Sequence, residues 1–295
     1  ATFKRAIEAG RKAFEDGVLS RAKPAKRMRL LFDIAAELRN LKEEGGRMLC
    51  LEQGKTLKSA QDEFEKAAAA FEYYGGLADK VEGRQIPLGD GMVDFTILEP
   101  LGLSLQIVPW NFPLMIGAWK LGPAIAAGNS VVLKPAETAS LTLIRIAELA
   151  LEAGLPEGVL NVVTGRGAVT GEALALSMDV DVLVFTGSGA VGRRPLEYSA
   201  QSNLKRVYLE LGGKSPAIVF DDVKDIAQAA KVTANGMFRN SGQVCVACTR
   251  LLVQRGLHDA FVAELAKAAG ALKVGDPLDQ ATHVGAINSE RQLQQ

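Results

Sequence analysis

The chain has 295 residues, 48% of them hydrophobic, which is enough for a large buried core and about two domains. Lys and Arg number 34 and Asp and Glu number 34, so the formal net charge is zero and no nucleic-acid or polybasic membrane surface is predicted. The three cysteines, Cys50, Cys245 and Cys248, form no disulfide framework. They are typical of reduced thiols, and we expect a cytoplasmic protein.

No segment of the sequence predicts a membrane protein. The longest apolar run, near residues 124–133, is interrupted by Gly128 and Asn129 and is too short to span a bilayer. The first residues begin at once with a charged amphipathic pattern, which we expect to be neither a secretory signal nor a lipidation site.

The predicted elements begin with helices and a hairpin. Apolar residues recur at helical spacing within residues 30–38 and again within 63–74, and the helical pattern ends near Gly75. A turn cluster at residues 86–91 then precedes alternating apolar residues. This pattern indicates a β-hairpin within residues 82–99.

Short apolar strands alternate with helices from residue 103 onward. Strands are predicted at residues 105–108, 131–133, 160–163, 182–185 and 206–209, and helices at 114–126, 140–153, 168–177 and 189–201. This alternation predicts an α/β fold with a doubly wound parallel sheet, in which ligands bind at the carboxyl ends of the strands. A second α/β run follows, with strands at 217–220 and 251–253 and helices at 225–238 and 258–269.

Three segments that follow predicted strands carry polar or glycine residues. In Pro-Trp-Asn-Phe-Pro, the Asn111 amide can donate to a developing oxyanion, or it can cap the next helix. In Leu-Lys-Pro-Ala-Glu, Lys134 and Glu137 can hold a ribose, or they can be solvated surface charges. The turn that contains Gly187 and Ser188 lets backbone N–H groups approach an anion, although glycine turns after strands are common.

Glu210 and Cys245 are the candidates for covalent chemistry. A thiol in the glycine-containing loop Asn-Ser-Gly-Gln-Val-Cys, with a carboxylate from Glu-Leu-Gly-Gly-Lys-Ser-Pro, is suited to attack on a carbonyl carbon. Taken singly, they indicate only an inert buried cysteine and a surface carboxylate. Neither His258 nor His283 fits a Cys–His couple, which disfavours a thiol hydrolase, and no metal site is predicted because Cys245-x-x-Cys248 lacks a second ligand pair.

Taken in order, the motifs PWNFP, LKPAE, FTGS, ELGGKSP and NSGQVC strongly resemble those of the NAD(P)-dependent aldehyde dehydrogenase superfamily, over essentially the whole chain. The resemblance implies that Cys245 is the nucleophile, Glu210 the general base, and Asn111 an oxyanion donor together with the Cys245 backbone N–H. It implies NAD as the cofactor, with NADP as the alternative, and Glu137 favours NAD because a carboxylate repels a 2′-phosphate. The cofactor residues implied are Ile107, Pro109, Trp110, Lys134, Glu137, Gly187, Ser188 and Leu211.

The resemblance also implies a small aldehyde substrate, oxidised to a carboxylic acid through a cysteine thiohemiacetal and a thioester. Arg239, in the context Phe-Arg-Asn, resembles succinate-semialdehyde dehydrogenases, where an arginine holds the distal carboxylate. A surface arginine that ends the preceding helix is the alternative. Val244 and Cys248 depart from that pattern, and dehydrogenases of aminoaldehydes or betaine aldehyde share the Gln-Val-Cys version. Phe112 and Trp119 match positions that line the substrate tunnel.

The resemblance divides the chain into a dinucleotide-binding domain (residues 1–81 and 100–212), an oligomerisation hairpin (82–99) and the start of a catalytic domain (213–295). It implies a homodimer or homotetramer. The family's later segment, with a glutamate in an EIFGPV-like motif, is not in this sequence, so we expect a fragment or a truncated gene product without a complete tunnel. An inactive structural relative is the alternative of another class, and the presence of Cys245, Glu210 and Asn111 together argues against it.

Overall fold

The structure is a computed structural model that describes residues 2–294. Four helices come first, and their bounds are Thr2–Glu15 (α1), Pro24–Asn40 (α2), Lys42–Gln53 (α3) and Leu57–Leu77 (α4). The apolar residues of α2 that recur at helical spacing, from Leu30 to Leu38, are buried as predicted. Helices α2, α3 and α4 pack on one another and form a helical layer.

The predicted hairpin is present, but its paired part is short. Strands β1 (Gln85–Ile86) and β2 (Asp94–Phe95) pair in antiparallel register, and most of residues 82–99 is exposed. The hairpin therefore adds no residue to the buried core.

A five-stranded parallel sheet is the centre of the fold. Its strands are Leu103–Ile107 (β3), Ser130–Lys134 (β4), Leu160–Val162 (β5), Val182–Thr186 (β6) and Arg206–Glu210 (β7). The order across the sheet is β5-β4-β3-β6-β7, so the chain winds outward in both directions from β3. The doubly wound α/β fold predicted from the sequence is confirmed.

The crossover helices are Pro113–Ala127 (α5), Leu141–Glu152 (α6), Glu172–Ala175 (α7) and Gly189–Ala200 (α8). The helix predicted for residues 168–177 differs, because a π-helical turn at Gly167–Gly171 precedes a four-residue α7. Glycine at both ends of that turn lowers the preference for a regular α-helix.

Helices cover both faces of the sheet. Along β4, Val131 and Leu133 belong to the core shared with helices α2 to α6, whereas Val132 belongs to the core on the opposite face. Helices α1 and α7 contribute Ile7 and Leu174 to that second core. The alternation of side chains along a buried parallel strand therefore feeds two hydrophobic layers.

A smaller unit follows. Strands Pro216–Val219 (β8) and Arg250–Val253 (β9) form a parallel two-stranded sheet, packed by helices Ile226–Phe238 (α9) and His258–Gly270 (α10), and a last short helix is Glu290–Leu293 (α11). Two 3₁₀ turns, Arg239–Gly242 and Arg255–Leu257, flank β9 in sequence. No helix within residues 2–294 is long and apolar enough to span a bilayer.

Candidate active site

The carboxyl ends of the parallel strands gather most of the predicted site residues at one edge of the sheet. Strand β3 leads into Pro109 and Trp110, both half-buried, and the register pairs Ile107 of β3 with Lys134 of β4 and with Phe185 of β6. Two strands lie on each side of β3 in the sheet, and the direction of winding reverses at β3. This edge is therefore the topological switch point where doubly wound sheets bind their ligands.

Lys134 and Glu137 meet the turn that follows β5. The Lys134 side chain is buried and its ammonium donates to the Pro135 carbonyl oxygen at 2.8 Å. Burial lowers the pKa of Lys134, and the nearby Glu137 carboxylate opposes that shift. Glu137 is exposed, and its Oε1 accepts a hydrogen bond from the Gly167 backbone N–H at 2.6 Å. The two side chains are therefore fixed rather than freely solvated, and the second carboxylate oxygen remains available to a hydroxyl donor.

Gly187 and Ser188 form the turn between β6 and α8. The Gly187 N–H donates to the Glu210 carbonyl oxygen at 3.0 Å, and the Ser188 hydroxyl accepts from the Val191 N–H at 3.3 Å as the N-cap of α8. Leu211 packs on the same helix, since a Cβ placed on Gly192 would lie 2.5 Å from its side chain. The N-terminus of a 12-residue helix thus opens at the switch point.

These residues fit a dinucleotide. The carboxylate of Glu137 and the ammonium of Lys134 suit ribose hydroxyls, the N-terminus of α8 suits a pyrophosphate, and Trp110 adds a half-buried aromatic face. Residues 2–294 contain no group of three or more His, Cys, Asp or Glu residues that could hold a metal ion.

The nucleophile loop, residues 239–245, follows α9 with an unusual backbone. Asn240 and Ser241 have φ angles of 51° and 57°, and Gly242 has 75°. Left-handed conformations cost non-glycine residues of order 1–3 kcal/mol and cluster at functional sites. The Ser241 hydroxyl donates to the Gly285 carbonyl oxygen at 3.0 Å, which helps to hold this conformation.

Cys245 is exposed at the end of this loop, so the interpretation of it as an inert buried thiol is wrong; Cys50 is the buried cysteine. Burial raises the pKa of the Cys50 thiol, whereas Cys245 lies where a reactant can reach it. The segment after Glu210 lies against the loop, because a Cβ placed on Gly213 would be 2.9 Å from the Cys245 carbonyl oxygen. Within residues 2–294 the Cys245 backbone N–H has no hydrogen-bond acceptor.

Asn111 is hydrogen-bonded to the nucleophile loop. Its side-chain Nδ2 donates to the Gln243 carbonyl oxygen at 2.9 Å, and its carbonyl oxygen accepts from Asn240 Nδ2 at 3.1 Å. The interpretation of Asn111 as a helix cap is wrong, because Phe112 is the N-cap residue of α5 and the Asn111 side chain donates to Gln243 instead. The Asn111 side chain is thus hydrogen-bonded to Gln243, which lies 132 residues further along the chain.

Glu210 ends β7 and its side chain is exposed. The physical reason is that β7 is the edge strand of the five-stranded sheet, and no element within residues 2–294 covers the outer side of its last residue.

Lys120 is a buried charge that no sequence motif singled out. It is buried on α5, and burial lowers the pKa of its ammonium from the ordinary 10.5 to about 8, although the charge of Glu210 acts in the opposite direction. That attraction places a cation in the neighbourhood of the predicted base. The signal in the sequence is that Lys120 is the sole charged residue of a 15-residue helix.

Two more buried charges, Lys55 and Glu63, were also missed. They form an ion pair whose side chains are 0% and 2% exposed, and the Lys55 Nζ donates to the Asn111 carbonyl oxygen at 2.9 Å. No local pattern distinguishes these residues from solvated helix charges, since only the fold buries them.

The three predicted substrate residues lie in different surroundings. Phe112 is buried near two cations, with Lys55 Nζ 4.2 Å and the Arg239 guanidinium carbon 5.6 Å from its ring centroid. Arg239 is exposed and pairs with no carboxylate in the described part of the chain. Trp119 lines a cleft between α4 and α5 whose other lining residues are Lys66, Ala69, Ala70, Tyr73, Tyr74 and Met115.

Comparison with known proteins gives a single family. The model described as "Aldehyde dehydrogenase family" matches residues 1–295. An NADP/NAD-dependent aldehyde dehydrogenase of Escherichia coli (strain K12) is 46% identical over 284 residues, which are 96% of this chain and 57% of that protein.

Solved structures agree with the relatives. An indole-3-acetaldehyde dehydrogenase in complex with NAD+ superposes with a TM-score of 0.97 at 45% identity, over 99% of this chain and 59% of that chain. A γ-glutamyl-γ-aminobutyraldehyde dehydrogenase from Burkholderia cenocepacia J2315 gives the same score, identity and coverage. The chain therefore spans less than two thirds of the length of the proteins it matches.

Proposed function

Because the chain belongs to the aldehyde dehydrogenase family, we propose that the protein oxidises an aldehyde to a carboxylic acid, with NAD or NADP as the cofactor. The observation that carries this proposal is the 2.9 Å hydrogen bond from Asn111 Nδ2 to the Gln243 carbonyl oxygen. It brings an amide donor to the loop of an exposed thiol, which is the arrangement that addition to a carbonyl requires.

The first step is addition of the Cys245 thiolate to the aldehyde carbon. The C–S bond forms as the carbonyl π electrons move to oxygen, and the thiol proton leaves to water. The oxyanion accepts a hydrogen bond from the backbone N–H of Cys245, which has no other acceptor within residues 2–294. It accepts a second from the Asn111 amide, because only one of the two N–H groups of that amide donates to Gln243.

Amino-acid side chains cannot accept a hydride, and bound NAD or NADP would accept the one that leaves the former carbonyl carbon. Lys134, Glu137, Gly187 and Ser188 would hold the cofactor, with Ile107, Pro109, Trp110 and Leu211 along the same edge. Glu137 favours NAD because its carboxylate repels a 2′-phosphate.

Glu210 acts in the last step. Its carboxylate takes a proton from the water that attacks the thioester, so the C–S bond breaks and the carboxylic acid and the Cys245 thiol are released. The contact between Gly213 and the Cys245 carbonyl oxygen supports this role, because it joins the Glu210 segment to the nucleophile loop.

The substrate we propose is a small semialdehyde with a distal carboxylate, such as succinate semialdehyde. Arg239 supports it, since the guanidinium is exposed beside Phe112, six residues before Cys245, and pairs with no carboxylate in residues 2–294. A guanidinium binds a carboxylate through two parallel hydrogen bonds.

An aldehyde that carries an amine or a quaternary ammonium, including betaine aldehyde, is the second candidate. The 45% identity to a γ-glutamyl-γ-aminobutyraldehyde dehydrogenase favours it. The cleft lined by Tyr73, Tyr74 and Trp119 also favours it, because aromatic faces attract cations.

We also propose that residues 82–99 pair with the same segment of a second copy to form a homodimer or homotetramer. The support is the set of exposed apolar side chains on this segment, namely Ile86, Leu88, Met92, Val93, Phe95, Ile97 and Leu98. Three free cysteines support a cytoplasmic location, as in a reducing compartment.

The test is a cofactor-coupled screen of aldehydes with the whole protein, comparing wild type with Cys245→Ala. Wild type should form NADH or NADPH only when an aldehyde is present, and Cys245→Ala should form none. Dehydrogenase activity that survives in Cys245→Ala would overturn the mechanism, and an inactive wild type would favour a structural relative. Cofactor-independent ester cleavage, unaffected by Asn111→Ala and without aldehyde oxidation, would indicate a thiol hydrolase.

A further inference from the structure

A buried ion pair lies directly beneath the predicted oxyanion donor. Lys55 follows helix α3 after Gly54, whose φ of 93° turns the chain inward, and its backbone N–H donates to Gln53 Oε1 at 2.9 Å. Glu63 lies in α4, and its carboxylate pairs with the Lys55 ammonium. Both side chains are almost wholly shielded from water.

The pair holds both ends of the turn that carries Asn111. The Lys55 Nζ donates to the Asn111 carbonyl oxygen at 2.9 Å, and Glu63 Oε1 accepts from the Met115 N–H at 3.0 Å. Met115 lies in the first turn of α5, where N–H groups lack helical partners and a negative charge is favourable. Residues 111–115 are therefore fixed at both ends by one ion pair from the helical layer.

A third group completes the arrangement from the side of the nucleophile. Asn240 Nδ2 donates to the same Asn111 carbonyl oxygen at 3.1 Å. The backbone of Asn111 is thus held by one donor from the helical layer and one from the nucleophile loop, while its side chain reaches Gln243.

Stability alone is a weak explanation for this pair. Burial lowers the pKa of Lys55, against the opposing effect of Glu63, which reflects the cost of removing an ammonium from water. Buried ion pairs are often replaced by apolar residues without loss of stability. A donor of an oxyanion site, in contrast, must be held closely, because small displacements lower the rate steeply.

We infer that Lys55 and Glu63 are positioning residues, which orient the Asn111 amide toward the oxyanion formed at Cys245. They do not touch the reacting atoms; they act through the Asn111 backbone and the start of α5. The inference rests on the proposed function, and it adds to that function a support that comes from the helical layer rather than from the sheet.

The variant that tests it is Lys55→Met/Glu63→Gln in the whole protein. Lys55→Met alone leaves an unpaired buried carboxylate and is expected to fold poorly, whereas Glu63→Gln keeps an acceptor oxygen for the Met115 N–H. Lys205→Met is the matched control, since Lys205 is also buried but bonds Ala175 and Ser202, near the amino ends of β6 and β7.

Two reactions of Cys245 separate positioning from folding. Acylation by p-nitrophenyl acetate passes through an oxyanion, whereas alkylation by iodoacetamide does not. We expect the double variant to acylate about 100-fold more slowly, near the rate of Asn111→Ala, and to alkylate at the wild-type rate. Adding Asn111→Ala to the double variant should cause little further loss, because both changes remove one contribution. Lys205→Met should leave both rates unchanged.

Wild-type acylation by the double variant would overturn the inference, and so would equal losses in acylation and alkylation, which indicate general unfolding. If this double variant does not fold, Lys55→Met/Glu63→Leu, which leaves no buried charge or carboxamide, is assayed in its place, and the same two outcomes decide. Failure of the proposed function looks different: the wild-type protein itself then shows neither Cys245-dependent acylation nor aldehyde-dependent reduction of the cofactor.

Discussion

Phe112 lies near two cations in different environments. Lys55 is buried and paired with Glu63, whereas Arg239 is exposed and has no carboxylate partner within residues 2–294. An unpaired guanidinium six residues before the proposed nucleophile is a candidate for binding an anionic group. The proposal of an anionic substrate therefore rests on Arg239.

Arg239→Ala should raise the KM for succinate semialdehyde about 10- to 100-fold, because a hydrogen bond to a charged group is worth roughly 1.5–3 kcal/mol. A neutral aldehyde of similar length should keep its KM and kcat. Steady-state kinetics on the two substrates measure the difference, with the exposed Arg255→Ala as the control. Equal effects on both aldehydes contradict the anionic substrate, and a lower KM for an aminoaldehyde supports the second candidate.

At the scale of the element, helix α5 connects several parts of the site. The Met115 N–H at its N-terminus donates to Glu63, and Trp119 lines the cleft with Tyr73 and Tyr74. Lys120 is buried, and the charge of Glu210 opposes the lowering of its pKa by burial. Lys120 is the only charged side chain of the helix, so the pH dependence that the helix itself contributes to stability comes from this residue. A rotation of α5 would disturb all of these contacts together.

Lys120 should make stability depend on alkaline pH. Its pKa is about 8 in the folded chain and 10.5 ordinarily, so between these values the unfolded chain binds more protons. The free energy of unfolding therefore rises across that window, by up to about 3 kcal/mol from this group. Well below pH 8 the buried ammonium is fully charged, so Lys120→Met should be the more stable protein there.

Denaturant unfolding at several pH values from neutral to alkaline measures this effect as the difference between wild type and Lys120→Met. The advantage of the variant should shrink as the pH rises through the window. Met115→Leu on the same helix is the control, because the substitution changes no titrating group. A difference between wild type and Lys120→Met that stays constant with pH contradicts the prediction.

At the scale of the whole molecule, the β1–β2 hairpin is the segment least integrated into the fold. Its strands pair only with each other, and Val93, Phe95 and Ile97 are 81%, 60% and 71% exposed. An apolar surface of this kind on a β-hairpin is expected to be covered by another chain.

Val93→Lys/Phe95→Lys should convert the assembly to single chains, because two buried lysines in each copy would be desolvated without partners. Light scattering after size-exclusion chromatography measures the mass. Leu293→Lys, at a comparably exposed position on α11, should leave the mass unchanged. A monomeric wild type, or an unchanged mass in the hairpin variant, contradicts the proposed interface.

The sequence by itself determined the order of the elements and the doubly wound sheet, because apolar periodicity and turn residues act over short distances. It also predicted Cys245, Asn111 and Glu210 as site residues, since their motifs are local. Only the tertiary structure decided which charges are buried, as with Lys55 and Lys120, and that Asn111 bonds the nucleophile loop rather than caps α5. The exposure of Glu210 also follows only from the tertiary structure, which places β7 at the edge of the sheet. Burial and long-range hydrogen bonds depend on which distant segments meet, and no local pattern of residues contains that information.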